Sequence, residues 1–163
     1  MSETNKRILG IDPGIARTGW GIVKCHGTDC EAIASGCIET TTAEKPQSRL
    51  LFLYQTLVKI EREFRPSEAA IEKIFFNTNA KTALSVGEAR GVTILSLAQA
   101  EIPIFQYTPL EVKLATTSFG RADKKQVQQM VKILLNLKTV PSPDDVADAL
   151  AVALTHAVIR ISK

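Results

Sequence analysis

Three short apolar segments crowd the start of this chain: Arg7 to Asp12, Thr18 to Cys25 and Glu31 to Thr40. Strands this closely spaced predict an antiparallel meander. The first ends in Asp12-Pro13-Gly14, a turn signal. A helix follows from Pro46 to Phe64, where Leu50, Leu53, Leu57, Ile60 and Phe64 make one apolar stripe until Arg65-Pro66 stops it. Glu68 to Glu72 is a brief strand around Ala69-Ala70-Ile71, Asn79 to Glu101 a second helix, and Ile102 to Tyr107 a further strand. An amphipathic helix runs from Asp123, its expected N-cap with Gln126 three residues on, to Leu137, and the last helix from Pro143 to Ile159. Strands, helix, strand, helix, strand, then helices predict an α/β fold, a mixed sheet with helices on both faces.

One helix position needs explanation. Gly87 and Gly91 stand on the same face as Ala80, Leu84, Leu95 and Ala98. A glycine inside a helix costs about 0.5–1 kcal/mol relative to alanine. Two of them four apart predict that something packs close, either the sheet or a second subunit.

With 163 residues the chain is read as one domain, 1–163, long enough to bury a core without staples. No apolar run approaches the ~18 residues of a membrane span. The opening Met-Ser-Glu-Thr-Asn-Lys-Arg is polar, so a cytoplasmic protein without a secretory leader is expected. Cys25, Cys30 and Cys37 are odd in number and form no C-x-x-C pair, and His26 and His156 lie far apart. These cysteines are expected to be free, reduced thiols, neither a zinc site nor a disulfide framework. A net charge of +3 allows a polyanionic partner only if the positive charge gathers on one face.

Four acids carry the functional argument. Asp12 closes an apolar strand, where a charge needs a partner, although its place before Pro-Gly also suits the first position of a turn. Glu72 ends the Ala-Ala-Ile strand, as a solvated strand end also would. Asp144 and Asp145 follow Ser142-Pro143, read as an N-cap with proline at the first helical position, and dipole compensation alone would account for both acids. Asp148 is harder to dismiss, because it interrupts a run from Val146 to Leu154 that is otherwise wholly apolar. An acid on a buried helix face survives when it is paired or binds metal. Asp145 and Asp148, three apart, share one face. Acids from two strand ends and one helix that met at a point would repel, and a hard divalent cation relieves this. All-oxygen ligands favour Mg²⁺ or Mn²⁺, and two such ions roughly 3.5–4 Å apart form the clamp of many nucleases.

Several separated motifs then fall in a familiar order. They are Ile8-Leu9-Gly10-Ile11-Asp12-Pro13-Gly14 with Thr18-Gly19-Trp20-Gly21, Ala70-Ile71-Glu72-Lys73-Ile74-Phe75, Gly87-Glu88-Ala89-Arg90-Gly91-Val92, Lys124-Lys125-Gln126-Val127-Gln128, and Asp145-Val146-Ala147-Asp148-Ala149-Leu150-Ala151. From about Arg7 to Ile159 the chain resembles the RuvC family of Holliday-junction resolvases. The resemblance implies a ribonuclease-H-like mixed five-stranded sheet and a metal-dependent endonuclease that nicks four-way junction DNA in symmetric pairs. It places the catalytic, metal-binding acids on Asp12, Glu72, Asp145 and Asp148, and so selects Asp145 over Asp144. It implies two Mg²⁺ per site, with Mn²⁺ able to substitute. It puts a base-stacking aromatic at Phe75, with Phe76 beside it, and phosphate-holding lysines at Lys113 and Lys124, with Lys124 also catalytic. Lys124 opens a helix, where its charge opposes the dipole unless an anion is near. Arg121 and Lys125 are further candidates for backbone contact. A homodimer and a branch-migration helicase complex of the RuvA and RuvB type are the implied protein partners.

Three other readings compete with this one. An ATPase of the actin and sugar-kinase type needs a second phosphate loop, and no second Asp-x-Gly turn is present. A junction-binding module with a silent site is disfavoured by four intact acids. Another ribonuclease-H-like nuclease, cutting hybrids or flaps, stays open and is separated by comparing substrates.

Overall fold

The computed structural model describes residues 6–74 and 80–161. The meander forms as expected. β1 (Lys6–Asp12), β2 (Arg17–His26) and β3 (Asp29–Glu39) are antiparallel, with Asp12 opposite Gly19 and Cys25 opposite Cys30. α1 (Pro46–Phe64) leads to β4 (Glu68–Glu72), which pairs parallel to β1 from Ile8 and Glu68 to Ile11 and Ile71. α2 (Ala80–Gln99) leads to β5 (Ile104–Tyr107), parallel to β4. α3 (Pro109–Thr117), α4 (Lys124–Leu134) and α5 (Asp144–Ile161) complete the described chain. The sheet order is β3-β2-β1-β4-β5.

The two-residue period of the strands sorts their side chains between two cores. Leu9, Ile11, Ala69 and Ile71 pack with Leu53, Leu57 and Ile60 of α1 and with Ala89 and Leu97 of α2. Ile8, Val23 and Ala70 point the other way, toward α5 and its neighbours α3 and α4. Asp12 and Glu72 keep step with Ile8 and Ala70, so both face α5. That helix lies on the sheet at very close range. A Cβ added to Gly10 would stand 1.9 Å from the Ala149 carbonyl oxygen, and one added to Gly19 would stand 1.9 Å from that of Asp145. Only a bare backbone admits the helix there, and Val146 to Ala157 of α5 is buried except at Asp148, which is half-buried.

Several expectations need correction. Cys25 and Cys30 are joined in a disulfide, and only Cys37 is free. The hairpin register sets the pair directly opposite, with Cα atoms 4.2 Å apart, which their spacing in the sequence does not reveal. The Ser142–Pro143 peptide is cis and α5 starts at Asp144, so Pro143 precedes the helix, its carbonyl accepting from the Val146 N–H at 3.0 Å. α3 was not foreseen. Its signal was Thr108-x-x-Glu111, a capping box in which the Thr108 hydroxyl accepts from the Glu111 N–H and the Glu111 carboxylate from the Thr108 N–H. The expected box at Asp123 and Gln126 is present at the start of α4.

On α2 the Gly87 and Gly91 face is turned away from the sheet. Leu84 is 72% exposed and Leu95 59%, and nothing lies within 4 Å of a Cβ built at either glycine. The buried face is Ala89, Thr93, Ser96 and Leu97. The Thr93 hydroxyl donates to the Ala89 carbonyl at 2.9 Å and the Ser96 hydroxyl to the Thr93 carbonyl at 3.0 Å, so both bury at little cost. Of the two explanations for the glycines, the sheet is excluded. No helix among the described residues is long and apolar enough to cross a membrane.

Candidate active site

Asp12 and Glu72 stand at the carboxyl ends of β1 and β4, adjacent parallel strands whose last matched pair is Ile11 and Ile71. The two carboxylates are therefore neighbours by register, outside the strand ends where open α/β sheets bind ligands. α5 brings the other two. Its first turns lie over β1 and β2 because Gly10 and Gly19 are glycines, and the Cβ of Asp145 would be 2.9 Å from a Cβ at Gly19. Gly19 is the register partner of Asp12, so Asp145 and Asp148 arrive over Asp12 and beside Glu72.

The electrostatics report this convergence. Burial pushes the Asp12 carboxyl up from 3.8 to about 7, and the negative charges of Asp148, Asp145 and Glu72 add to the rise while Lys124 opposes it. Burial and then Asp148 raise Glu72, opposed by Lys124 and Lys113. Burial raises Asp148, opposed by its hydrogen bond to Lys124. The Lys124 Nζ lies 3.0 Å from Asp148 Oδ2 and 3.4 Å from Asp144 Oδ2. These acids give a lysine at the first turn of α4 its reason to be there.

The structure also separates the two adjacent acids. Asp145 faces the strands and acts on Asp12, whereas Asp144 is exposed, pairs with Lys124 and reaches the site through its charge on Asp148. Lys113 on α3 is close enough to Glu72 to act on its carboxyl. Arg121 and Lys125 are exposed, and Lys125 lines a groove of about 410 Å³ with Phe119 and Met130, away from the acids. Phe75 and Phe76 lie outside the described residues.

One contributor escaped the sequence reading although it sits in a quoted motif. Arg90 of α2 donates to the Glu72 carbonyl oxygen at 2.7 Å and to Gln106 Oε1 at 2.6 Å, tying the end of β4 to β5 and fixing where Glu72 emerges. A half-buried guanidinium needs partners for its donors, but no local pattern in the sequence says where they lie.

Four carboxylates with upward-shifted members fit a hard divalent cation better than they fit one another. As placed, no group of three His, Cys, Asp or Glu among the described residues stands ready to hold a metal ion, and the ammonium of Lys124 is the cation that Asp148 meets. The donor chemistry of these carboxylates fits a metal.

A mixed five-stranded sheet with acids at two strand ends and on the crossing helix defines the ribonuclease-H-like nuclease class. The family model described as crossover junction endodeoxyribonuclease RuvC matches residues 8–156. A curated RuvC of Pelotomaculum thermopropionicum is 55% identical over 150 residues, 92% of each chain. Another, of Rubrobacter xylanophilus, is 49% identical over 156 residues, 96% of this chain and 87% of that one. The solved structure of Thermus thermophilus RuvC in complex with a Holliday junction substrate superposes with a TM-score of 0.92 at 33% identity, covering 96% of both chains. The yeast mitochondrial resolvase Ydc2 shares the fold, with a TM-score of 0.70 at 15% identity over 97% of this chain and 81% of that one. The chain belongs to the RuvC family of crossover junction endodeoxyribonucleases, whose nucleases are metal-dependent.

Proposed function

We propose that this protein resolves Holliday junctions in recombination and repair by paired, symmetric nicks that leave 5′-phosphate and 3′-hydroxyl ends. The observation that carries the reading is the convergence of Asp12, Glu72, Asp145 and Asp148, with Lys124 against them. The family membership and the junction-bound relative of matching fold support it.

The four acids would hold two Mg²⁺, or Mn²⁺ in their place, which supply an activated water and shelter for the leaving oxygen. Asp12 and Glu72, fixed by strand register, and Asp145 and Asp148, fixed by the glycine floor, form the cradle. Lys124 Nζ, at 3.0 Å from Asp148, would stabilise the negative charge that builds on the scissile phosphate. Lys113 holds the phosphate from the Glu72 side. Arg121 and Lys125 extend the basic surface along the DNA backbone, and Phe75, with Phe76, stacks on bases at the crossover.

Two paired nicks need two sites. A two-fold junction is matched by a C₂ homodimer, and the exposed α2 face of Leu84, Gly87, Gly91 and Leu95 is the surface assigned to it. The protein works in the cytoplasm beside a branch-migration complex of the RuvA and RuvB type.

The test is a labelled mobile four-way junction against linear duplex of matched sequence, with Mg²⁺ or EDTA, and with Asp148→Asn alongside. Symmetric ligatable nicks in the junction alone, lost with EDTA and in the variant, are expected. A junction that is bound but left intact across metals and junction sequences sinks the catalytic reading, and equal cutting of RNA–DNA hybrids sinks the substrate assignment.

A further inference from the structure

At the far end of α5 from the acids lies a second polar cluster, with Glu68, His156 and Tyr107 buried at its centre and Lys6 and Arg160 partly exposed at its rim. Glu68, 6% exposed, opens β4 and faces α5 as Glu72 does. His156, 2% exposed, places its Nε2 2.9 Å from Glu68 Oε2 and its Nδ1 2.5 Å from the Tyr107 hydroxyl. Lys6 Nζ lies 2.9 Å from Glu68 Oε1, and Arg160 pairs with the same oxygen. Phe105 stacks on the imidazole at 4.3 Å between centroids. A carboxylate held by two cations can only accept, so His156 carries its proton on Nε2, and Nδ1 accepts from the Tyr107 hydroxyl. Burial first, then Lys6, lowers His156 to about 4, so the ring is neutral near pH 7. Every polar atom named here has a partner, which makes the cluster a rigid joint between β1, β4, β5 and α5.

The joint and the active site are separated by matching lengths on the two elements. Glu68 to Glu72 is four strand residues, about 13 Å. His156 back to Asp148 is eight helical residues, about 12 Å. β4 and α5 run in opposite directions, so pinning His156 to Glu68 sets Asp148 opposite Glu72. We infer that the Glu68–His156–Tyr107 cluster is a positioning device that fixes the axial register of α5 on β4 and thereby the spacing of the metal-holding carboxylates. A helix free to slide by 1 Å along its axis would open that spacing, and misplacement on this scale costs on the order of 10²-fold in rate. Glu68, His156 and Tyr107 touch neither substrate nor metal.

This inference rests on the metal site proposed above, so its test reads metal and DNA separately. His156→Leu removes both ring contacts, His156→Gln keeps a donor toward Glu68, and Tyr107→Phe removes one hydroxyl. For each variant, thermal melting checks folding, calorimetry gives Mn²⁺ affinity, a gel assay in EDTA gives junction affinity, and single-turnover cleavage gives the rate at saturating junction. In variants that still melt cooperatively, His156→Leu is expected to lose about 10–100-fold in Mn²⁺ affinity and in rate, with junction affinity within twofold of wild type. Tyr107→Phe is expected to lose less, and His156→Gln to recover most of the loss. Folded His156→Leu or Tyr107→Phe protein with wild-type metal affinity and rate overturns the inference. So does a loss that vanishes when the variants are compared at equal fraction folded. If wild type binds Mn²⁺ and the junction but never cuts, the nuclease reading fails, and the metal arm still decides the positioning role.

Discussion

Gly19 of β2 lies beneath Asp145 of α5 so closely that an added Cβ would stand 1.9 Å from its carbonyl oxygen and 2.2 Å from its carbonyl carbon. Backbone atoms in a helix anchored along the sheet do not yield, so Gly19→Ala must lift the first turn of α5. The expected result is a stability loss of about 1–3 kcal/mol by urea melting, the usual range for overpacking. A fall of at least tenfold in junction cleavage is also expected under conditions where the variant remains folded. Cleavage at the wild-type rate by folded variant would show that the height of α5 over the strands does not govern the site.

Asp12 ties the same site to pH. Its carboxyl is raised from 3.8 to about 7, by burial and then by Asp148, Asp145 and Glu72. Between those values the folded protein holds a proton that the unfolded chain has released, so stability falls as pH rises through the window. Asp12→Asn removes this ionisation. Its expected effect is a gain on the order of 1–3 kcal/mol at pH 8 that disappears toward pH 4. Cleavage is expected to fall about a thousandfold, the loss that follows from removing roughly 4 kcal/mol of transition-state stabilisation. In wild type, Mg²⁺ should raise the melting temperature more at pH 8 than at pH 5, because the cation and the proton relieve the same repulsion. Melting curves in EDTA and in Mg²⁺ across this range check both signs, and an Asp12→Asn variant less stable than wild type at pH 8 contradicts the argument.

Lys124 is expected to act on metal and phosphate with opposite sign. Its ammonium sits 3.0 Å from Asp148 and lowers the cost of ionising Asp12, Glu72 and Asp148. Removing that charge should leave the acids a stronger trap for a divalent ion and, on the proposed mechanism, take away a group that steadies developing phosphate charge. Lys124→Met is therefore expected to bind Mn²⁺ several-fold more tightly by calorimetry and to cleave about 100-fold more slowly in single turnover. Weaker Mn²⁺ binding in the variant would mean that Lys124 shapes the cradle instead of competing for it.

How much of this could be read from the residues differs from element to element. The meander, α1 and β4 were legible because their patterns are local, a two-residue period or a leucine stripe bounded by proline. The four acids were legible as types at strand ends and on an apolar helix, and the resemblance chose Asp145 where dipole chemistry could not. On α2 the glycine pair left the sheet and a second subunit both open, and Thr93 and Ser96, which hide their polarity in their own helix, kept the buried face from reading as apolar. Cys25 and Cys30 gave no sign of pairing, since the bond depends on which residues the β2–β3 register sets opposite. The Glu68–His156–Tyr107 cluster joins residues far apart in the chain, and only the packed fold brings them together.

The open face of α2 supplies the last prediction. Leu84 and Leu95 are 72% and 59% exposed, and the glycines between them leave the helix surface bare. Apolar side chains flanking a flat backbone strip suit close approach by a second helix, and in a C₂ dimer that helix is the same one. Two carboxylates placed there would face their own copies across the axis. Leu84→Glu with Leu95→Glu is expected to give a monomer by sedimentation at concentrations where wild type is dimeric. Folding and Mn²⁺ affinity should be kept, since both substitutions are in solvent in the single chain. Single nicks in the junction should persist, and paired nicks within one binding event should be lost, which a supercoiled cruciform plasmid distinguishes by nicked against linear product. A double variant that remains dimeric moves the interface to another surface, and one that is monomeric yet still yields linear product separates paired cutting from dimerisation.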